Sequence, residues 1–103
     1  MIGKFEESVL LAVMQAGEQA LPSEIHARLE GVSGGKPPAF GAVYTTLGRM
    51  AAKGLVEEAT KLDEAQRKRR CFTISGAGRR ALTESMQQIR ALGGFALAGG
   101  GYA

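Results

Sequence analysis

The most concentrated chemistry in the sequence is cationic. Arg67, Lys68, Arg69 and Arg70 are consecutive, and Arg79 and Arg80 follow closely. Residues 59–103 carry eight basic and three acidic side chains, whereas residues 1–58 carry five basic and seven acidic. The formal net charge of +3 is therefore gathered at one end of the chain. A local positive patch on a nearly neutral body favours contact with a polyanion at one surface. A solvated hairpin would also explain such a run taken alone. The segment just before it decides between the two.

That segment, Pro37 to Lys53, combines small and hydroxyl residues with an apolar stripe. Ala39, Gly41, Ala42, Thr45 and Thr46 would make the first half of a helix slim and polar enough to approach base edges in a groove. Lys36, Tyr44 and Arg49 can reach phosphates from the rim, where each neutralised phosphate releases counterions. Tyr44 has a second, compatible role: a ring packed between that helix and the basic hairpin. Arg67, Lys68, Arg69 and Arg70 are then the expected backbone or minor-groove contacts. Asp63 and Glu64 would repel phosphates, which keeps the hairpin tip clear of the duplex.

Catalytic chemistry has no comparable concentration of residues. One histidine (His26) and one cysteine (Cys71) provide neither a metal-ligand set nor a supported Cys-His pair, so no enzyme, metal or cofactor is expected. Cys71 reads as a small filler on a strand. Gly76-Ala77-Gly78-Arg79-Arg80-Ala81 fits GxGxxA between a strand and a helix, but the dinucleotide fingerprint needs a parallel βαβ unit. A glycine-rich tail follows here instead.

The elements that must position these residues can be read from apolar spacing. Phe5, Val9, Leu10, Val13 and Met14 predict a first helix from Lys4 to about Ala16, closed by Gly17. Pro22, Ser23 and Glu24 open a shorter helix carrying Ile25, Ala27 and Leu29. Gly31, Gly34, Gly35, Pro37 and Pro38 form a loop. Val43, Leu47 and Met50 are the buried stripe of a third helix, about Phe40 to Lys53, with Gly54 just past its end. Leu55 to Thr60 and about Lys68 to Ile74 predict a strand pair around a turn near Leu62 to Gln66. Ser75 is placed to cap a fourth helix from about Gly76 to Leu92. Its apolar residues Leu82, Met86, Ile89 and Leu92 predict a seam with the same helix of a second subunit, joined by Phe5 and Val9. Residues 93–103 hold five glycines and are expected to be a frayed tail.

The fold class expected is mainly α with a small β-hairpin wing: a winged helix-turn-helix plus a C-terminal dimerisation helix. The organisation is a winged-helix DNA-binding domain over 1–75, a dimerisation helix over 76–92 and a disordered tail over 93–103. A chain of 103 residues allows one modest core, and such a domain often gains stability by association. The mixed-charge start and single cysteine fit the cytoplasm, and no apolar run is long enough for a membrane span. The function expected is sequence-specific binding to double-stranded DNA. The alternative is a winged-helix module that binds another protein, which an apolar patch in place of Thr45, Thr46 and Arg49 would favour.

Phe40-Gly41-Ala42-Val43-Tyr44-Thr45-Thr46-Leu47, Arg49-Met50 and Lys53-Gly54-Leu55-Val56 resemble the recognition-helix block of PadR-like transcriptional regulators. Arg69-Arg70-Cys71-Phe72-Thr73-Ile74-Ser75 and Gly78-Arg79 resemble that family's wing and the start of its C-terminal helix. The resemblance spans roughly residues 4–92. It implies a winged-helix homodimer, commonly a repressor, acting on a two-fold operator. Some members respond to phenolic or other hydrophobic small molecules, so a small hydrophobic effector belongs among the implied partners. Two features depart from the pattern. Cys71 stands where the first aromatic of the wing pair is usual, and a single C-terminal helix is expected where longer members add a helical domain.

Overall fold

Three helices form where the apolar spacing asks for them, and each has an identifiable start or stop. The computed structural model describes residues 2–32, 36 and 38–91. Helix α1 (Lys4–Ala16) begins after Gly3, whose N–H is taken by the Glu6 carboxylate at 3.1 Å. It ends at Gly17, which adopts φ 89°. Helix α2 (Pro22–Val32) starts with proline at its first position, where a missing N–H costs nothing. The preceding Leu21 N–H donates to Glu24 Oε1 at 2.8 Å. Helix α3 (Phe40–Ala52) closes in a Schellman arrangement around Gly54 at φ 77°. There the Leu55 N–H donates to the Met50 carbonyl (2.9 Å) and the Gly54 N–H to that of Ala51 (3.1 Å).

Strands β1 (Val56–Leu62) and β2 (Lys68–Ile74) pair antiparallel, from Val56 opposite Ile74 to Leu62 opposite Lys68. The first strand runs two residues beyond Thr60, because the ladder closes at an Asp63 N–H to Arg67 carbonyl bond of 3.0 Å. A bridge adds to the hairpin's inner edge: Ala20 and Phe72 exchange both backbone hydrogen bonds, at 2.9 and 2.8 Å. The wing is thus tied to the α1–α2 connection as well as to its own partner strand.

Helix α4 (Gly76–Ala91) grows out of β2. Ser75 Oγ accepts the Gly78 N–H at 3.0 Å, the expected cap, and donates to the Gly54 carbonyl at 2.6 Å. Gly78 is required there: a Cβ at that position would lie 2.1 Å from the Leu55 carbonyl oxygen. Further along, the Ser85 hydroxyl donates to Glu7 on α1. The first half of α4 is therefore fastened to the body.

One core results, built from Val9, Leu10, Val13, Ile25, Val43, Leu47, Met50, Val56 and Phe72, with Leu82 of α4 in the same cluster. This corrects the expected subunit seam at two positions. Val9 is 0% exposed and Leu82 4% within a single chain, so neither is free to meet a partner. Phe5 (39% exposed) and Met86 (51%) remain at the surface. The Ile89 side chain, Leu92 and the tail lie outside the described residues. Among the described residues no helix is long and apolar enough to cross a membrane, and no group of three or more His, Cys, Asp or Glu could hold a metal ion.

Candidate nucleic-acid interface

Helix α3 presents two unlike faces. Val43, Thr46, Leu47 and Met50 point into the core. Thr46, at 4% exposure, is thereby removed from the expected groove face: it lies three residues after Val43 and four before Met50, on the same side of the helix. The opposite face carries Gly41, Thr45, Gly48 and Ala52, with Ala39 and Ala42 exposed at its start. A Cβ placed on Gly41 or Gly48 would meet nothing within 4 Å. Neither glycine serves packing among the described residues, although Gly48, in the helix interior, costs about 1 kcal/mol relative to alanine. Gly48 was not among the residues singled out from sequence, although a glycine seven residues after Gly41 in the same helix was a readable signal.

Charged and aromatic side chains border this slim face. Arg49 is exposed on one flank, near Glu6, which in turn takes an ion pair from Lys53 at 2.9 Å. The Lys53 hydrogen bond, then the Gly3 N–H, hold the Glu6 carboxyl below its ordinary range. On the other flank rings run in sequence. His26 stands edge-on to Phe40 (5.6 Å between centroids), and Phe40 edge-on to Tyr44 at 6.0 Å. His26 Nε2 also donates to the Pro38 carbonyl at 2.9 Å, which ties α2 to the segment leading into α3. Tyr44 is half-buried and lies under the Arg70 guanidinium at 4.9 Å, so it fills the space between α3 and the wing. Lys36 is exposed on the approach to α3.

The wing brings its four basic residues together, but three of them are already paired. Arg67 Nε and Arg69 Nη1 both reach Asp63 Oδ2, at 3.2 and 3.4 Å. Asp63 Oδ1 accepts the backbone N–H groups of Ala65 and Arg67, each at 2.9 Å. Asp63 is thus the knot of the turn and not a bare charge beside the tip. These bonds, the Arg67 N–H first, keep its carboxyl below the usual range. Arg70 makes a two-pronged pair with Glu58, Nε to Oε2 at 2.6 Å and Nη2 to Oε1 at 2.9 Å. Glu58 is correspondingly shifted down by Arg70, and Arg70 upward by Glu58 first and Tyr44 second. Lys68 is exposed and carries no such pair among the described residues. Cys71 is buried, with its thiol directed at the Ala59 carbonyl (3.5 Å), as a small filler would be.

A slim helix face beside a basic hairpin is the layout of a winged helix-turn-helix, and the comparisons with known proteins agree. A PadR family transcription regulator from Clostridium difficile has the same fold with a TM-score of 0.77, over 96% of this chain and 100% of that one, at 17% identity. A PadR-like transcriptional regulator from Bacillus cereus gives 0.72 over 91% and 88% of the two chains, at 22% identity. PadR of Bacillus subtilis, solved in complex with operator DNA, gives 0.70 over 81% of this chain and 46% of that one, at 13% identity. At these identities the likeness is one of fold. No curated protein matches the sequence. The family model for the transcriptional regulator PadR-like family matches residues 10–84, well over half of the chain. The chain therefore belongs to the PadR-like family of transcriptional regulators.

Proposed function

We propose that the protein binds double-stranded DNA sequence-specifically, as a homodimer on a two-fold operator, and represses the genes beside it. The observation that carries this reading is the outward face of α3. Two glycines stand there with open space around them, and Gly48, in the helix interior, carries a cost in stability that no contact among the described residues offsets. A backbone kept bare in this way suits close approach to an external surface, and a groove with phosphate rims fits the flanking charges. Ala39, Gly41, Thr45 and Gly48 would face the base edges. Lys36, Arg49, Arg67, Lys68 and Arg69 would meet phosphates, with Tyr44 at the rim. Arg67 and Arg69 would exchange single contacts to Asp63 for contacts to the backbone. The operator complex of the Bacillus subtilis relative supports the same use of the fold.

The dimer would form through the exposed apolar residues at the α1–α4 end, Phe5 and Met86, with the part of the 76–92 helix beyond the buried Leu82 as the dimerisation segment. A small hydrophobic effector would need more room than the hollow of about 100 Å³ lined by Ile2, Ala81, Glu84, Ser85 and Gln88, and a more enclosed site than the open hollow of about 270 Å³ beside Arg79, Arg80, Thr83 and Glu84. Selection from a random duplex pool tests the whole reading. Enrichment of a site with two-fold related halves is expected, and Met86→Glu should yield monomers by sedimentation and lose that site. A pool that returns unenriched would favour a protein partner for the same surface.

A further inference from the structure

Arg70 differs from its neighbours in the wing. Arg67 and Arg69 each touch one Asp63 oxygen through one nitrogen, and the Arg67 side chain is 71% exposed. Little holds either of them back from a phosphate. Arg70 instead spends two N–H groups on both oxygens of Glu58 and lays its plane near two rings, Tyr44 at 4.9 Å and Phe72 at 5.6 Å. Tyr44 belongs to α3, Glu58 to β1, and Arg70 and Phe72 to β2. One guanidinium therefore joins the helix to both arms of the wing. To reach a phosphate it would have to break a bidentate pair and leave the Glu58 carboxylate facing the duplex unneutralised.

We propose that Arg70 is a positioning residue for sequence readout and not a phosphate contact: clamped by Glu58 and laid on Tyr44, it fixes the wing against α3. The inference rests on the DNA-binding reading above. Its physical content is that the Glu58–Arg70 pair is locally neutral, so it releases no counterions from DNA, while its fork and plane set the angle at which helix and hairpin meet the duplex together. Lysine cannot replace it, because an ammonium has neither the fork for a carboxylate nor a plane to lie on a ring.

The test compares the wild type with Arg70→Lys, Glu58→Gln and, as a phosphate-contact reference, Arg67→Ala. Two quantities are read: the base preferences selected from a random duplex pool, and the salt dependence of binding to the wild-type site. For Arg70→Lys and Glu58→Gln the expectation is about tenfold weaker discrimination between that site and single-base variants of it. Their salt slopes should stay unchanged, whereas Arg67→Ala should flatten the slope by ~0.9. A merely structural loosening would weaken all sequences alike and leave the preferences intact, which overturns the proposal. So would tighter binding and a steeper slope in Glu58→Gln, since that marks Glu58 as a competitor that keeps Arg70 from phosphate. Circular dichroism checks each fold; Glu58→Gln is isosteric at an exposed position, so it decides the matter should Arg70→Lys fail to fold. Absence of any enriched duplex with the wild type would appear before a variant is made, and would overturn the DNA-binding reading itself.

Discussion

The outward face of α3 and the β1–β2 wing lie side by side, yet they are built on opposite principles. The helix face is nearly stripped of side chains, with Gly41, Thr45, Gly48 and Ala52 in line. The wing is crowded with charge, and much of that charge is compensated internally, Arg67 and Arg69 by Asp63 and Arg70 by Glu58. Bareness permits approach at short range and discriminates by fit. Compensated charge limits long-range attraction to any polyanion while keeping cations ready at the surface. On the proposed DNA-binding reading, base readout and phosphate contact would fall to these two separate regions, with carboxylates moderating the second.

The largest effect should come from removing what supports the wing. Phe72 is fully buried, bonded through its backbone to Ala20 and near Arg70 by its ring. Phe72→Ala should cost about 3–5 kcal/mol in denaturant unfolding, and any binding that survives should come from α3 alone. Gly48→Ala separates the two regions most sharply. An added methyl has open space and helical backbone, so the melting temperature should rise, by ~1 kcal/mol of stability. Duplex affinity should fall by ~1–3 kcal/mol as the methyl holds the helix off the bases. A stabilised variant that binds normally would show that the bare face is not the reading face.

Asp63→Asn probes the wing in the opposite direction. Asparagine keeps an oxygen for the Ala65 and Arg67 N–H groups, so the turn should persist, while Arg67 and Arg69 lose their counter-charge. Affinity for random duplex at low salt should increase, because neither arginine gives up an ion pair to reach a phosphate, while the number of phosphate contacts and hence the salt slope stay the same. The smallest effect concerns acid. Glu6, Glu58 and Asp63 are all held below their ordinary pKa values by Lys53, Arg70 and the Arg67 N–H respectively. Their contributions are therefore complete above the unfolded-state values and vanish as pH falls through the lower folded-state ones. Melting temperature should be flat through neutrality and decline below about pH 4, modestly because these pairs are solvated.

Much of this arrangement was legible in the residues. Val43, Leu47 and Met50 announce the buried stripe of α3, Gly54 its end, and Ser75 the start of α4, because each depends on local spacing or a single backbone conformation. Thr46 misled because its hydroxyl suggested exposure, while its phase on the helix demanded burial. Val9 and Leu82 misled for a different reason: an apolar residue at helical spacing needs cover, and spacing does not say whether cover comes from the same chain or another. The Glu58–Arg70 clamp depends on the hairpin register, which sets a diagonal contact across residues twelve apart. The role of Asp63 depends on the shape of a turn that includes Gln66 at φ 63°.

The junction at Gly78 has one more consequence. The end of α3 and the start of α4 share the Gly54–Leu55 carbonyls, which accept the Ser75 hydroxyl and the Ser75 N–H. The space above Leu55 admits no side chain at all. In a dimer held by α4, such a joint would act like the pivot of a pair of callipers that has been soldered. A rotation at the subunit contact would pass through this joint to the two α3 helices. Half-sites one helical turn of DNA apart, about 34–36 Å, would then be set by that contact through this joint.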